Sequence, residues 1–138
     1  MGQYLVDELL DFSKVSAHSE KLTLESANAR PYKEDPHRLK GSSGDWLVYE
    51  IGGRLRSARV LALTENEQHN LQFYVSTDNK TFSPVTPVIS KYPTGVNLYG
   101  YKLPVKYEVF APESDARYVK IVFSSDTQIS RVDFSFSK

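Results

Sequence analysis

Two stretches of the sequence concentrate aromatic rings beside charged and hydrogen-bonding side chains. ARPYKEDPHRLK carries Tyr32, Glu34, Asp35, His37 and Arg38, and YPTGVNLYGYKL carries Tyr92, Asn97, Tyr99 and Tyr101 among the turn formers Pro93, Gly95 and Gly100. A shorter stretch, TENEQHN, adds Glu65, Asn66 and His69. A rigid tyrosine ring can stack on the flat apolar side of a sugar while amide, guanidinium, carboxylate and imidazole groups bind its hydroxyls. On that chemistry the candidate ligand-binding residues are Tyr32, His37, Arg38, Glu65, His69, Tyr92, Asn97, Tyr99 and Tyr101. The competing reading makes the tyrosines core residues that close the end of a sheet. It also pairs Arg38 with Asp35 as a loop brace, although a braced planar guanidinium would still suit vicinal hydroxyls or a carboxylate.

Catalytic groups are not legible. Glu65 and Glu67 stand two apart on a polar stretch where both carboxylates would stay solvated, whereas glycoside hydrolysis needs a flanking pair in contrasting environments. GSSGD, residues 41–45, lacks the strand-turn-helix setting of a nucleophile elbow. His18, His37 and His69 show no metal-binding spacing. The sequence is therefore read as non-enzymatic.

The 138 residues fit one domain, 1–138, long enough to bury a core without staples. Seventeen basic and seventeen acidic residues are interspersed, which gives no support for nucleic-acid or membrane binding by a charge field. No apolar run approaches a bilayer span, and Met1-Gly2-Gln3 lacks the features of a signal peptide. Met1-Gly2 reads as an added start, so a module of a longer protein is expected. The absence of cysteine excludes disulfides and thiolate metal sites. Asn79-Lys80-Thr81 is a formal glycosylation sequon, relevant only to a eukaryotic secretory route.

The elements that must position these residues are short strands. Period-two alternation runs through WLVYEI, RSARVLALT, LQFYVS, YVKIVF and RVDFSF, with turn residues between them. KLTLES predicts a further strand, and YLVDELLDF is the one segment that could form a short helix. Trp46, heading an alternating strand, is expected in the core. Leu103, Val105 and Val109 share parity with Tyr99 and Tyr101, so one unbroken strand would draw both rings inward. Pro104 cannot donate to a ladder, and a break near 102–104 is expected, with the core strand running from about Val105 to Phe110. Many short strands predict an all-β fold, an antiparallel β-sandwich or jelly roll.

Four blocks in order, DWLVYEIGGRLRSARV, FYVSTDNKTFSPV, ARYVKIVF and ISRVDFSF, resemble discoidin-like (coagulation factor type C, galactose-binding-like) domains. The opening DELLDFSKVSAHSEKLTLESAN is similar to accessory carbohydrate-binding modules of bacterial polysaccharide-degrading enzymes. The resemblance implies a sandwich in which Ser76, Asp78 and Phe82 set a turn and its staple. It also implies a polysaccharide or oligosaccharide ligand, a covalently linked catalytic domain, secretion as part of a larger bacterial protein and a monomer. Clotting members of the superfamily use a disulfide and apolar loop spikes for membranes, and this chain has neither. Related modules often hold a structural Ca2+ between the N-terminal segment and the last strand, for which Asp7 or Asp11 with Asp133 could supply carboxylates; the same residues could equally be surface charges. The alternative function is a structural or protein-interaction sandwich of a multimodular extracellular protein.

Overall fold

The computed structural model describes residues 2–9, 12–25, 38–64, 71–91, 103–111 and 114–137. These form twelve strands: β1 (Gly2–Asp7), β2 (Ala17–His18), β3 (Thr23–Glu25), β4 (Arg38–Gly41), β5 (Trp46–Glu50), β6 (Arg54–Thr64), β7 (Leu71–Ser76), β8 (Ser83–Val85), β9 (Val88–Lys91), β10 (Leu103–Phe110), β11 (Tyr118–Phe123) and β12 (Thr127–Ser137). No helix occurs among the described residues, and the fold is an all-β antiparallel sandwich. The helix expected over YLVDELLDF is corrected. Gly2–Asp7 runs instead as β1 against β12, from the pair Gly2 and Ser137 to the pair Asp7 and Val132. The local sequence was ambiguous between two periods, and the long free edge of β12 settles it by supplying a ladder.

One sheet has seven strands in the order β3-β4-β12-β6-β10-β9, with β1 also on β12; the other has five, β2-β5-β11-β7-β8. The core lies between them because alternation points Leu47, Tyr49, Ile121 and Phe123 of the smaller sheet at Val60, Tyr107, Val132 and Phe134 of the larger. Two ring pairs join the sheets: Tyr49 with Phe134 at 5.0 Å between centroids, and Phe73 with Tyr107 at 5.7 Å. Each such ring contributes about 1.5–3 kcal/mol by burial alone, and tilted contacts add to this.

Two departures from simple alternation matter. Trp46 is not in the core: Leu47 and Tyr49 point inward, so Trp46 lies on the outer face of the five-stranded sheet, partly buried. There the Lys120 ammonium sits 5.1 Å from the Trp46 ring and 5.6 Å from that of Phe82, a cation–π clasp. In β12 the pairing with β6 slips between Ile129 and Arg131. This bulge lets odd-numbered Ile129 and even-numbered Val132 both face inward, and so turns Arg131, Asp133 and Ser135 outward.

The strand around Pro104 starts earlier than expected. β10 begins at Leu103, with Pro104 opposite Leu63 of β6, while pairing with β9 begins only at Val105. Pro104 thus occupies the second position of the strand, beyond the β9 ladder, where a missing N–H is tolerated. The Ser76-Asp78 turn forms as expected. Ser76 Oγ donates to Asp78 Oδ1 at 2.9 Å, and the Lys80 and Thr81 amides donate to the same oxygen at 2.9 and 3.0 Å. Asn79 takes a left-handed φ of 63° at its tip.

Candidate functional site

Most sequence-derived candidates, namely Tyr32, His37, Glu65, His69, Tyr92, Asn97, Tyr99 and Tyr101, lie outside the described residues, as does Asp11. Arg38 is described and is 1% exposed, with its Nε donating to Gln128 Oε1 at 2.6 Å. Its side chain is covered and packs against Gln128 on the side of β4 opposite core Leu39.

Asp7 and Asp133 do not converge as ligands of one ion. In register, Asp7 opposes Val132 and Val6 opposes Asp133, so the pleat places the two carboxylates on opposite faces of the sheet. Asp7 points into the core, accepting the Tyr49 hydroxyl at 2.8 Å and the Leu9 amide at 2.8 Å. Asp133 points outward against Arg59 and Arg131. Among the described residues no group of three or more His, Cys, Asp or Glu side chains is placed to hold a metal.

The described residues do assemble a different candidate, on the outer face of the seven-stranded sheet. Among the described residues, the large apolar side chains most exposed to solvent are Tyr4 (77%), Phe110 (63%) and Val88 (56%), and register puts all three on that face. Inward Val105, Tyr107 and Val109 force Lys106, Glu108 and Phe110 outward. Inward Val132, Phe134 and Phe136 do the same for Asp133 and Ser135. The pairings Phe110–Ser57, Ser57–Ser135 and Ser135–Tyr4 then form one row across four adjacent strands. Three strand spacings separate the two aromatic positions, about 14 Å.

Alongside runs a polar row, Glu108, Arg59 and Asp133, bounded by Val88 and Val6. Arg59 Nε lies 3.3 Å from Asp133 Oδ1, Arg131 Nε 3.3 Å from Asp133 Oδ2, and Lys106 Nζ 3.0 Å from Glu108 Oε1. Ser57 and Ser135 share a hydroxyl hydrogen bond between the rings. Tyr4, Arg59, Glu108, Arg131 and Asp133 line an open depression of ≈ 590 Å³ here. Ion pairing fixes the orientation of the planar guanidinium groups and leaves unused donors and lone pairs facing solvent. Chemically, the face offers two flat apolar surfaces separated by oriented hydrogen-bonding groups. Glu108 and Asp133 are partly buried on the sheet, each against a cation.

Tyr4 and Phe110 escaped the sequence reading for different reasons. Tyr4 lay in the segment read as a helix. Phe110 was within reach of parity, since an even-numbered ring after Val105, Tyr107 and Val109 must face away from them.

No family model matches the sequence, and no curated protein matches it. Solved structures do match in fold. CsCBM6-3 from Clostridium stercorarium, in complex with cellobiose, aligns over 98% of this chain and 94% of its own at TM-score 0.56 and 14% identity. Another family 6 carbohydrate-binding module aligns over 96% and 94% at TM-score 0.54 and 14% identity. The catalytic domain of a GH87 alpha-1,3-glucanase in complex with tetrasaccharides aligns over 98% of this chain and 28% of its own, at TM-score 0.58 and 9% identity. At such identities the likeness establishes the β-sandwich fold.

Proposed function

We propose that the protein is a non-catalytic carbohydrate-binding module that holds an attached glycoside hydrolase or lyase against a polysaccharide. The observation that carries this reading is the row Phe110–Ser57–Ser135–Tyr4, with exposed rings at its two ends and the Arg59–Asp133 pair beside it. Rings stack on the apolar faces of sugar residues, and the oriented guanidinium and carboxylate groups take the hydroxyls between them. The likeness in fold to modules described as carbohydrate-binding, one of them in complex with cellobiose, supports the same reading.

Tyr32, Tyr92, Tyr99 and Tyr101, with His37, Glu65, His69 and Asn97, remain proposed contacts, in a single discoidin-like domain secreted as part of a larger bacterial protein. Linkage to a catalytic domain would raise the effective substrate concentration without new contacts. Affinity electrophoresis against a panel of plant and microbial polysaccharides tests the function. Retarded migration that is lost on Tyr4→Ala with Phe110→Ala supports it, and unchanged migration in every gel refutes it.

A second reading has one observation in its favour. Val88, an aliphatic side chain unsuited to stacking, is also 56% exposed on this face. A protein-docking face would use Val88 and Phe110 together, and Val88→Ala would then weaken partner capture while leaving glycan retardation absent.

A further inference from the structure

In the depression described above, the cations lie in ion pairs. At the β3–β4 edge of the same sheet, two lysines do not. Lys21, Thr23, Lys40, Ser42, Ser43 and Asp45 line a separate open depression of ≈ 540 Å³ where β3 and β4 meet the turn into β5. Thr23 pairs with Lys40 across the two strands. Leu22 is buried, so its β3 neighbour Thr23 turns to the opposite side, the side of Lys40. Lys21, in the turn that precedes β3, and Lys40 both line the depression, and both are exposed. Like charges around one depression repel, and an opposite charge between them ordinarily offsets this.

The acidic residue lining the depression, Asp45, does not fill that role. It is 7% exposed. Its Oδ1 accepts the Ser19 hydroxyl at 3.0 Å and its Oδ2 accepts the Ser42 amide at 2.9 Å, so its carboxylate closes the turn. Neither lysine forms an ion pair with a described carboxylate. The hydroxyls of Ser42 and Ser43, on exposed residues, add donors at the rim.

We propose that this depression is a subsite for an anionic group carried by the saccharide, either a carboxylate or a sulfate ester. The two ammonium groups would clamp the anion as point charges, with Thr23 and the serine hydroxyls completing its hydrogen bonds. The inference rests on the carbohydrate-binding reading and narrows the ligand class to acidic glycans, or to glycans with acidic substituents.

Isothermal titration with three probes tests it: oligogalacturonate for carboxylate, a sulfated chondroitin oligosaccharide for sulfate, and neutral cello-oligosaccharides as reference. The parent should bind at least one acidic probe, and Lys21→Ala with Lys40→Ala should weaken that binding about tenfold or more. Acid binding should fall as salt rises from about 0.01 M to about 1 M, over which the screening length shrinks from about 30 Å to about 3 Å. Lys21→Arg with Lys40→Arg should restore most of it, and all variants should share the parent's melting temperature because both side chains are exposed. Carboxylate and sulfate are distinguished by which acidic probe responds. Unchanged acid binding in the double alanine variant, or neutral binding with no acidic binding, overturns the inference and leaves the carbohydrate reading standing. Failure of all three probes overturns the inference, and the polysaccharide panel then decides the carbohydrate reading.

Discussion

The hydroxyl of Tyr49 donates a 2.8 Å hydrogen bond to Asp7 Oδ2 inside the core, tying β5 of one sheet to the end of β1 in the other. Tyr49 is 0% exposed and Asp7 3%. A buried carboxylate is tolerated only when its oxygens are satisfied, and here the Leu9 amide takes the other oxygen. Tyr49→Phe keeps the ring contact with Phe134 but strands the carboxylate, so it should cost about 2 kcal/mol in denaturant unfolding. Adding Asp7→Asn, which removes the charge, should recover part of that loss.

The same bond predicts an alkaline limit. Burial first, then the Asp7 charge and the hydrogen bond to it, push the Tyr49 hydroxyl well above the usual tyrosine range. A raised value in the folded state means that stability is fully present below about pH 10, the unfolded value, and declines as pH climbs toward the folded one. Melting temperature followed above pH 10 should fall more steeply for the parent than for Tyr49→Phe. Parallel curves would show that Tyr49 ionisation is not linked to unfolding.

At the opposite end of the scale, the Thr81 amide, then the Lys80 amide and the Ser76 hydroxyl, hold Asp78 below the ordinary carboxylate range. A lowered folded value means its contribution is present above about pH 4 and is lost as pH falls through the folded value. NMR titration of the Asp78 carboxyl should give a midpoint below that of an unstructured aspartate. Ser76→Ala should move the midpoint back upward.

Tyr4→Ala and Phe110→Ala separate recognition from folding. Each should cost about 2 kcal/mol of polysaccharide binding if its ring is an anchor, measured by titration calorimetry. Both side chains are exposed, so thermal unfolding should move little, unlike Phe73→Ala or Phe134→Ala, for which about 3–5 kcal/mol of stability should vanish.

Gly53 is tested by adding a single methyl group. A Cβ there would stand 2.6 Å from the Ser137 carbonyl oxygen and 2.7 Å from the Phe136 ring. The backbone of β12 cannot yield as a side-chain tip would. Gly53→Ala should therefore lower stability by roughly 1–3 kcal/mol in chemical denaturation.

Period-two alternation made much of the architecture readable, and Leu47, Tyr49, Val119, Ile121, Val132 and Phe134 all face inward as their parity required. Ser76 and Asp78 were readable because a turn side chain satisfies its own backbone locally. Trp46 was not, since hydrophobic identity outweighed parity: it shares its side of the strand with Glu50, a residue that cannot be buried cheaply. β1 was unreadable because its pairing partner lies more than a hundred residues away, where no local pattern registers it. The outward row was half legible. Facing direction follows from the count along each strand, but Phe110 and Tyr4 join one row only through strand order, which alternation does not encode.

The pairing of Gly2 with Ser137 brings the two ends of the ladder side by side, two residues from both Tyr4 and Ser135. Polypeptide continuing from either end would leave the sandwich from one corner, next to an aromatic ring. Under the proposed function, an enzyme fused on either side would be leashed at the same distance from the Tyr4 ring, and swapping the fusion from front to back should leave its reach unchanged.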